Sequence, residues 1–205
     1  MKNYPTEKRI LEVSGNMFFK HGIRSITMDD IASTLGISKK TIYIYYKDKK
    51  SLVKSFTIRE LKQHEKEMLK IRKGSHDSID EMIQLMNHLG NFFSRVNPSV
   101  FYDLQKYHPE SWLSFRQFKN KIVIYFVEEN LRKGISNNLY RKDINVKTLA
   151  KLRIEEVEMG VNPSIFPPED FRINDVQISL IDHFIYGIVT PKGYKLIEKY
   201  KNQIN

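Results

Sequence analysis

Apolar residues recur along this chain at the three-to-four-residue period of an α-helix, and no stretch alternates as a strand would. Ile10, Leu11, Val13, Met17 and Phe18 predict a helix from about Thr6 to His21, which Gly22 stops. A second short helix opens at Thr27, where Asp30 completes a capping-box pattern. A third is expected from Ser38 to about Tyr45, and Asp48 is placed to cap a long fourth over about 49–72. After the KGSHDS break, Ile79, Met82, Ile83, Met86, Leu89, Phe93 and Val96 mark one side of a fifth. NPS at 97–99 starts another, and Pro109 opens a long one that ends near Gly134. Further helices are read from about Val146 to Met159 and from about Asn174 to Val189, with TPKGYKLIEKY as a tail able to continue the last. The prolines of VNPSIFPPEDF exclude a helix through that loop. The pattern therefore predicts an all-α chain of about nine helices.

The segment from Thr27 to Leu52 is the most specific. Ile31 and Leu35 lie one helical turn apart, beside the small Ala32. Gly36 follows, where a tight turn needs positive φ, and Ser38 offers an N-cap to the next helix. Ile42 is placed to pack back onto Ala32. Two short helices sharing a core in this way form a helix-turn-helix, whose second helix is free to enter the major groove of DNA. On that helix Lys39, Lys40, Thr41, Tyr43 and Tyr45 are the outward candidates. Lysine can donate to guanine O6 and N7, and a threonine methyl can touch a thymine methyl. Tyrosine hydroxyls and Thr27 can reach phosphates, as can Lys49 at the start of the fourth helix. Lys47 and Lys50 read as solvated or phosphate-facing.

The flanking stretches KRILEVSGNMFFKHGIRSITMDDIA and GISKKTIYIYYKDKKSLV extend the pattern. Through Arg9, Phe18, Gly22, Thr27, Ala32, Gly36, Ser38, Thr41, Tyr43, Tyr46, Lys49 and Leu52, the first quarter of the chain resembles the N-terminal domain of TetR/AcrR-type transcriptional regulators. Ser14 stands where alanine is usual and Tyr46 where phenylalanine is usual, which assigns Tyr46 to the core. The resemblance implies a DNA-binding domain in residues 1–50, including Ser38 among the DNA-contacting positions. It also implies a helical ligand-binding and dimerisation domain in 51–205, and supports the phosphate role of Lys49.

Charge strengthens this picture. The chain carries +10 at pH 7, and residues 1–60 hold 12 Lys/Arg against 6 Asp/Glu, so +6 of the excess lies on the expected reader. No apolar run approaches the ~18 residues of a membrane span, the N-terminus has no signal-peptide core, and cysteine is absent. A cytoplasmic protein without disulfides or thiolate metal sites is expected.

The last helix is apolar on nearly all sides, which calls for two covers. One is its own domain and the other a second copy, with Ile181, Phe184, Ile185, Gly187 and Ile188 expected at the interface. The resemblance likewise implies a homodimer, and a two-fold pair of reading helices requires a palindromic operator in double-stranded DNA. Residues 79–130 are rich in aromatic and methionine side chains. Met86, Phe93, Tyr102, Trp112, Phe115 and Phe126 are the candidates for lining a pocket for a small-molecule effector, with core packing as the other reading of each.

Catalytic chemistry has no motif here: no phosphate loop, nucleophile elbow or dinucleotide fingerprint occurs, and the six histidines lack metal-binding spacing. No catalytic residue, metal or cofactor is expected. Glu155, Glu156 and Glu158 read as a solvated helix face, or alternatively as partners of a cationic ligand or a second subunit. The sequence thus points to a ligand-released, sequence-specific repressor. The alternative is an architectural DNA-binding dimer without a ligand.

Overall fold

Helical periodicity governs the whole chain. The computed structural model describes residues 6–202, and among these it contains eleven α-helices, one π-helical turn and one isolated bridge, Tyr140 to Val189. The helices are α1 (Thr6–His21), α2 (Met28–Leu35), α3 (Lys39–Tyr45), α4 (Lys49–Gly74), α5 (Ser78–Phe93) and α6 (Ser99–Tyr107). They continue with α7 (Pro109–Phe118), α8 (Ile124–Ser136), α9 (Val146–Gly160), α10 (Ile173–Ile188) and α11 (Pro191–Asn202). The count exceeds nine for two reasons. The long helix from Pro109 is divided into α7 and α8 by a π turn at Lys119–Val123, and the tail after Val189 forms its own helix, started by Pro191. None of the described helices is long and apolar enough to cross a membrane.

The chain forms two compact units that do not follow its order: Met1–Gln63 with Arg95–Arg116, and His64–Ser94 with Gln117–Asn205. In the first, α1, α2 and α3 pack together over Ile10, Phe18, Ile23, Ile31, Ile42, Leu52 and Phe56, all buried. Phe18 meets Phe56 edge to face at 5.5 Å. The α6 segment is tied to the end of α1 by backbone groups. Asn97 N–H donates to the Phe19 carbonyl at 2.7 Å, and Arg24 N–H donates to Asp103 Oδ2 at 2.8 Å. Gly22, at φ 82°, makes the left-handed turn between them.

The second unit buries Ile79, Ile83, Leu131, Ala150, Ile154, Ile181, Ile185, Ile188 and Ile197 in one cluster. Tyr140 lies at its centre, fully buried. Its hydroxyl is 2.9 Å from both the Ser78 carbonyl and Asn130 Oδ1, while Asn130 Nδ2 donates to the same carbonyl at 3.0 Å. Burial pushes this phenol well above its ordinary pKa, so it remains a neutral donor. Buried charge is neutralised internally. Lys119, on the π turn, donates to Glu155 at 2.9 Å and to Glu158, and Arg153 donates to Glu156 at 3.1 Å. The three glutamates are therefore not a purely solvated face. Each has a basic partner within its own unit, and Glu156 is buried.

The Tyr140 ring occupies the space that a side chain at Gly134 would need, and Leu139 and Tyr140 both donate N–H groups to the Gly134 carbonyl. Gly134→Ala is expected to cost about 1–3 kcal/mol by overpacking. Urea unfolding followed by circular dichroism measures this; an unchanged midpoint would show that the ring moves aside freely.

Candidate DNA-reading surface

The turn between α2 and α3 is built from local chemistry. Thr27 and Asp30 close a full capping box: Thr27 Oγ1 accepts from Asp30 N–H at 3.1 Å, and Thr27 N–H donates to Asp30 Oδ2 at 2.7 Å. Hydrogen bonds from the Thr27 hydroxyl and backbone hold the Asp30 carboxyl below the usual carboxylate range. The box is therefore complete at neutral pH and is lost only as pH falls through that depressed value. Gly36 ends α2 at φ 66°, ψ 34°. Ser38 caps α3, its Oγ accepting from Thr41 N–H at 3.1 Å and lying 2.8 Å from the Thr41 hydroxyl. Asp48 then caps α4 by accepting from Ser51 N–H at 2.7 Å.

These caps hold α3 so that one side faces the core and the other stays bare. Ile42 is fully buried and Tyr46 is 4% exposed, whereas Tyr43, Ile44 and Tyr45 are 44%, 73% and 42% exposed. Lys39 and Lys40 are also exposed. Lys39 Nζ forms an ion pair with Asp29 Oδ2 at 2.7 Å, while Lys40 has no ion-pair partner among the described residues. Thr27, Ser38 and Thr41 have hydroxyls already engaged in caps. Lys49 is half-buried. Its ammonium lies 3.4 Å from the Arg24 carbonyl, and burial, opposed by Asp103 and Asp30, lowers its pKa. Ile44 was absent from the expected contacts. The signal for it is its place two residues beyond Ile42, which on a helix turns it to the opposite side.

Residues 10–56 match the sequence model of the family described as bacterial regulatory proteins, tetR family. Over 193 residues the chain is 28% identical to the HTH-type transcriptional regulator YvaF of Bacillus subtilis (strain 168), covering 91% of this chain and 97% of that one. The chain is a DNA-binding transcriptional regulator with a TetR-type N-terminal domain. The matched family is a regulatory one rather than a class of enzymes. Solved structures extend the likeness of fold beyond the reader. A transcriptional regulator from Cytophaga hutchinsonii ATCC 33406 superimposes with TM-score 0.72 at 20% identity, covering 90% of this chain and 99% of that one. A regulator from Saccharomonospora viridis in complex with choline gives 0.73 at 17%, covering 90% and 98%.

The expected pocket residues are distributed over both units of this chain. Met86, Phe93 and Phe126 belong to the second, whereas Tyr102, Trp112 and Phe115 belong to the first, where Trp112 stacks on Phe115 at 5.0 Å. Phe126 is covered by the Arg72 guanidinium, 3.9 Å from its ring centre. A small cavity in the second unit is lined by Met86, Leu89, Gly90, Arg153, Gln177, Ile178 and Ile181. Gln177 Nε2 donates to the Val157 carbonyl at 2.9 Å, which leaves Gln177 Oε1 buried with no partner among the described residues.

The interface residues expected on α10 are almost wholly covered by their own protomer. Ile181, Phe184, Ile185 and Ile188 are only 2–4% exposed and pack in the core of their own protomer, which leaves little of each for a second copy. Gly187 does lie on the open side of α10, with nothing within 4 Å of a would-be side chain, and it shares that exposure with Ile178 and Tyr186.

Two lysines are expected to separate affinity from selectivity. Lys49→Ala is expected to weaken binding to all DNA alike and to lower the slope of log K against log salt by about 1. Lys40→Ala is expected to relax preference at one base pair per half-site. Salt-titrated binding to a panel of duplexes measures both, and identical behaviour of the two variants would refute the division.

Proposed function

We propose that this chain is a cytoplasmic, homodimeric repressor that holds a palindromic operator and releases it when a small molecule enters the second unit. The observation that carries the DNA half of this reading is the bare outer side of α3. It presents Lys40, Tyr43 and Tyr45 from a helix held rigidly by caps and by Ile42. Thr27, Ser38, Lys39, Thr41 and Lys49 surround it as phosphate and groove-edge contacts. One seven-residue helix touches too few base pairs to select a site, so two copies are required. The open sides of α10 and α11, with Tyr186, Gly187 and Tyr194, form the surface through which they pair.

The ligand half rests on the cavity between α5, α9 and α10. Met86, Leu89, Ile178 and Ile181 supply apolar walls; Gln177 Oε1 supplies an unused acceptor, and Arg153 a donor already neutralised by Glu156. An apolar body bearing one hydroxyl or amide suits that lining better than a charged group. The space is no larger than a water molecule needs, so entry of such a ligand parts α10 from α5. A ligand favouring the parted state shifts the population away from the one that fits the operator. The regulator from Saccharomonospora viridis was solved with a small molecule, choline, which supports a ligand-responsive reading of this fold.

Selection of genomic fragments by the purified protein, followed by footprinting, tests the proposal. A palindrome protected symmetrically is expected. Salt-sensitive binding without a preferred sequence would instead favour the architectural dimer. For the ligand, a panel of small alcohols and amides is expected to raise the melting temperature of the wild-type protein, and Gln177→Leu to abolish that rise. No shift across the panel would count against a neutral amphipathic effector.

A further inference from the structure

Ile44 is the most exposed large hydrophobic residue among those described, at 73%. Isoleucine is one of the residues most often buried and is an indifferent helix former, so neither stability nor solubility explains it on a seven-residue helix. Its place is informative. Two residues beyond the fully buried Ile42, it points about 200° away from the core, between Tyr43 and Tyr45. Unlike those two, it has no hydroxyl to offer a phosphate. Its branched Cβ also limits it to few rotamers, so it presents a fixed apolar shape.

Base edges in the major groove offer one apolar feature, the C5 methyl of thymine. We propose that Ile44 is a specificity-determining residue that selects a thymine in each operator half-site by covering that methyl. Lys40 donates to a base edge, and Tyr43 and Tyr45 hold the backbone. Ile44 contributes a contact on α3 that discriminates by shape rather than by hydrogen bonding, on the opposite side of the helix from Ile42. This inference rests on the reading of α3 as the recognition helix.

Replacing thymine with deoxyuridine deletes the methyl and leaves base pairing intact. Once an operator is selected, each thymine is replaced in turn, symmetrically in both half-sites, and binding of the wild-type protein and of Ile44→Ala is measured by fluorescence anisotropy at fixed salt. At one thymine per half-site, deoxyuridine is expected to weaken wild-type binding about fourfold per site, the worth of one buried methyl. The same replacement is expected to leave Ile44→Ala unaffected, because that contact is already gone. Unchanged thermal unfolding of Ile44→Ala confirms an intact fold. Deoxyuridine effects of equal size in both proteins, or none at any position, would overturn the assignment while leaving the regulator reading intact. Failure of the wild-type protein to select any sequence would overturn both, and is recognised before any deoxyuridine is introduced.

Discussion

A helix of seven residues does not persist alone in water, since nucleation costs more than so few hydrogen bonds return. Everything this protein can read depends on α3 being held from outside. Ile42 is withdrawn completely from solvent, Ser38 satisfies the first turn, and Tyr46 N–H closes the last onto the Ile42 carbonyl at 3.0 Å. The remaining surface is released from any structural duty. That is why Tyr43, Ile44 and Tyr45 can stand in solvent on a folded domain.

The features legible in the sequence are those whose physics is local. Thr27 with Asp30, Gly36, Ser38 and Asp48 each act within three or four residues, and each is found in the role its spacing implied. Helix periodicity likewise places α1, α5 and α9 within a few residues. What the spacing could not show is pairing across long separations. Asp103 reaches the Arg24 backbone 79 positions away, and His64 meets His88 at 2.9 Å although the histidines are scattered along the chain. The same limit explains α10. Hydrophobicity indicates that Ile181, Phe184, Ile185 and Ile188 need cover, but not whether their own protomer or a second copy supplies it. Ile44 is the opposite case: its outward direction follows from its offset to Ile42, and only its apolar character concealed it.

Charge inside the second unit follows a different rule from charge on the reader. Lys119 and Arg153 are buried and answered by glutamates of α9; removing Glu156 would leave Arg153 uncompensated in a low-dielectric interior, whereas Lys119 keeps one carboxylate if either Glu155 or Glu158 is lost. Such pairs fix one arrangement of helices more than they stabilise it. The π turn at Lys119 has one extra residue in its helical loop, and the two α9 carboxylates hold that lysine in place. The cavity beside the Arg153–Glu156 pair is lined by Arg153 and Gln177 together with apolar side chains such as Met86.

The ion pair between Lys39 and Asp29 bears on how much this lysine can add to binding. Its ammonium already has a carboxylate at 2.7 Å, supplied by the protein itself. Were it to turn to a DNA phosphate, it would exchange one exposed ion pair for another and leave Asp29 as a bare anion beside the duplex. Lys39 would then contribute less to affinity than Lys40, which gives up no ion pair among the described residues to reach DNA.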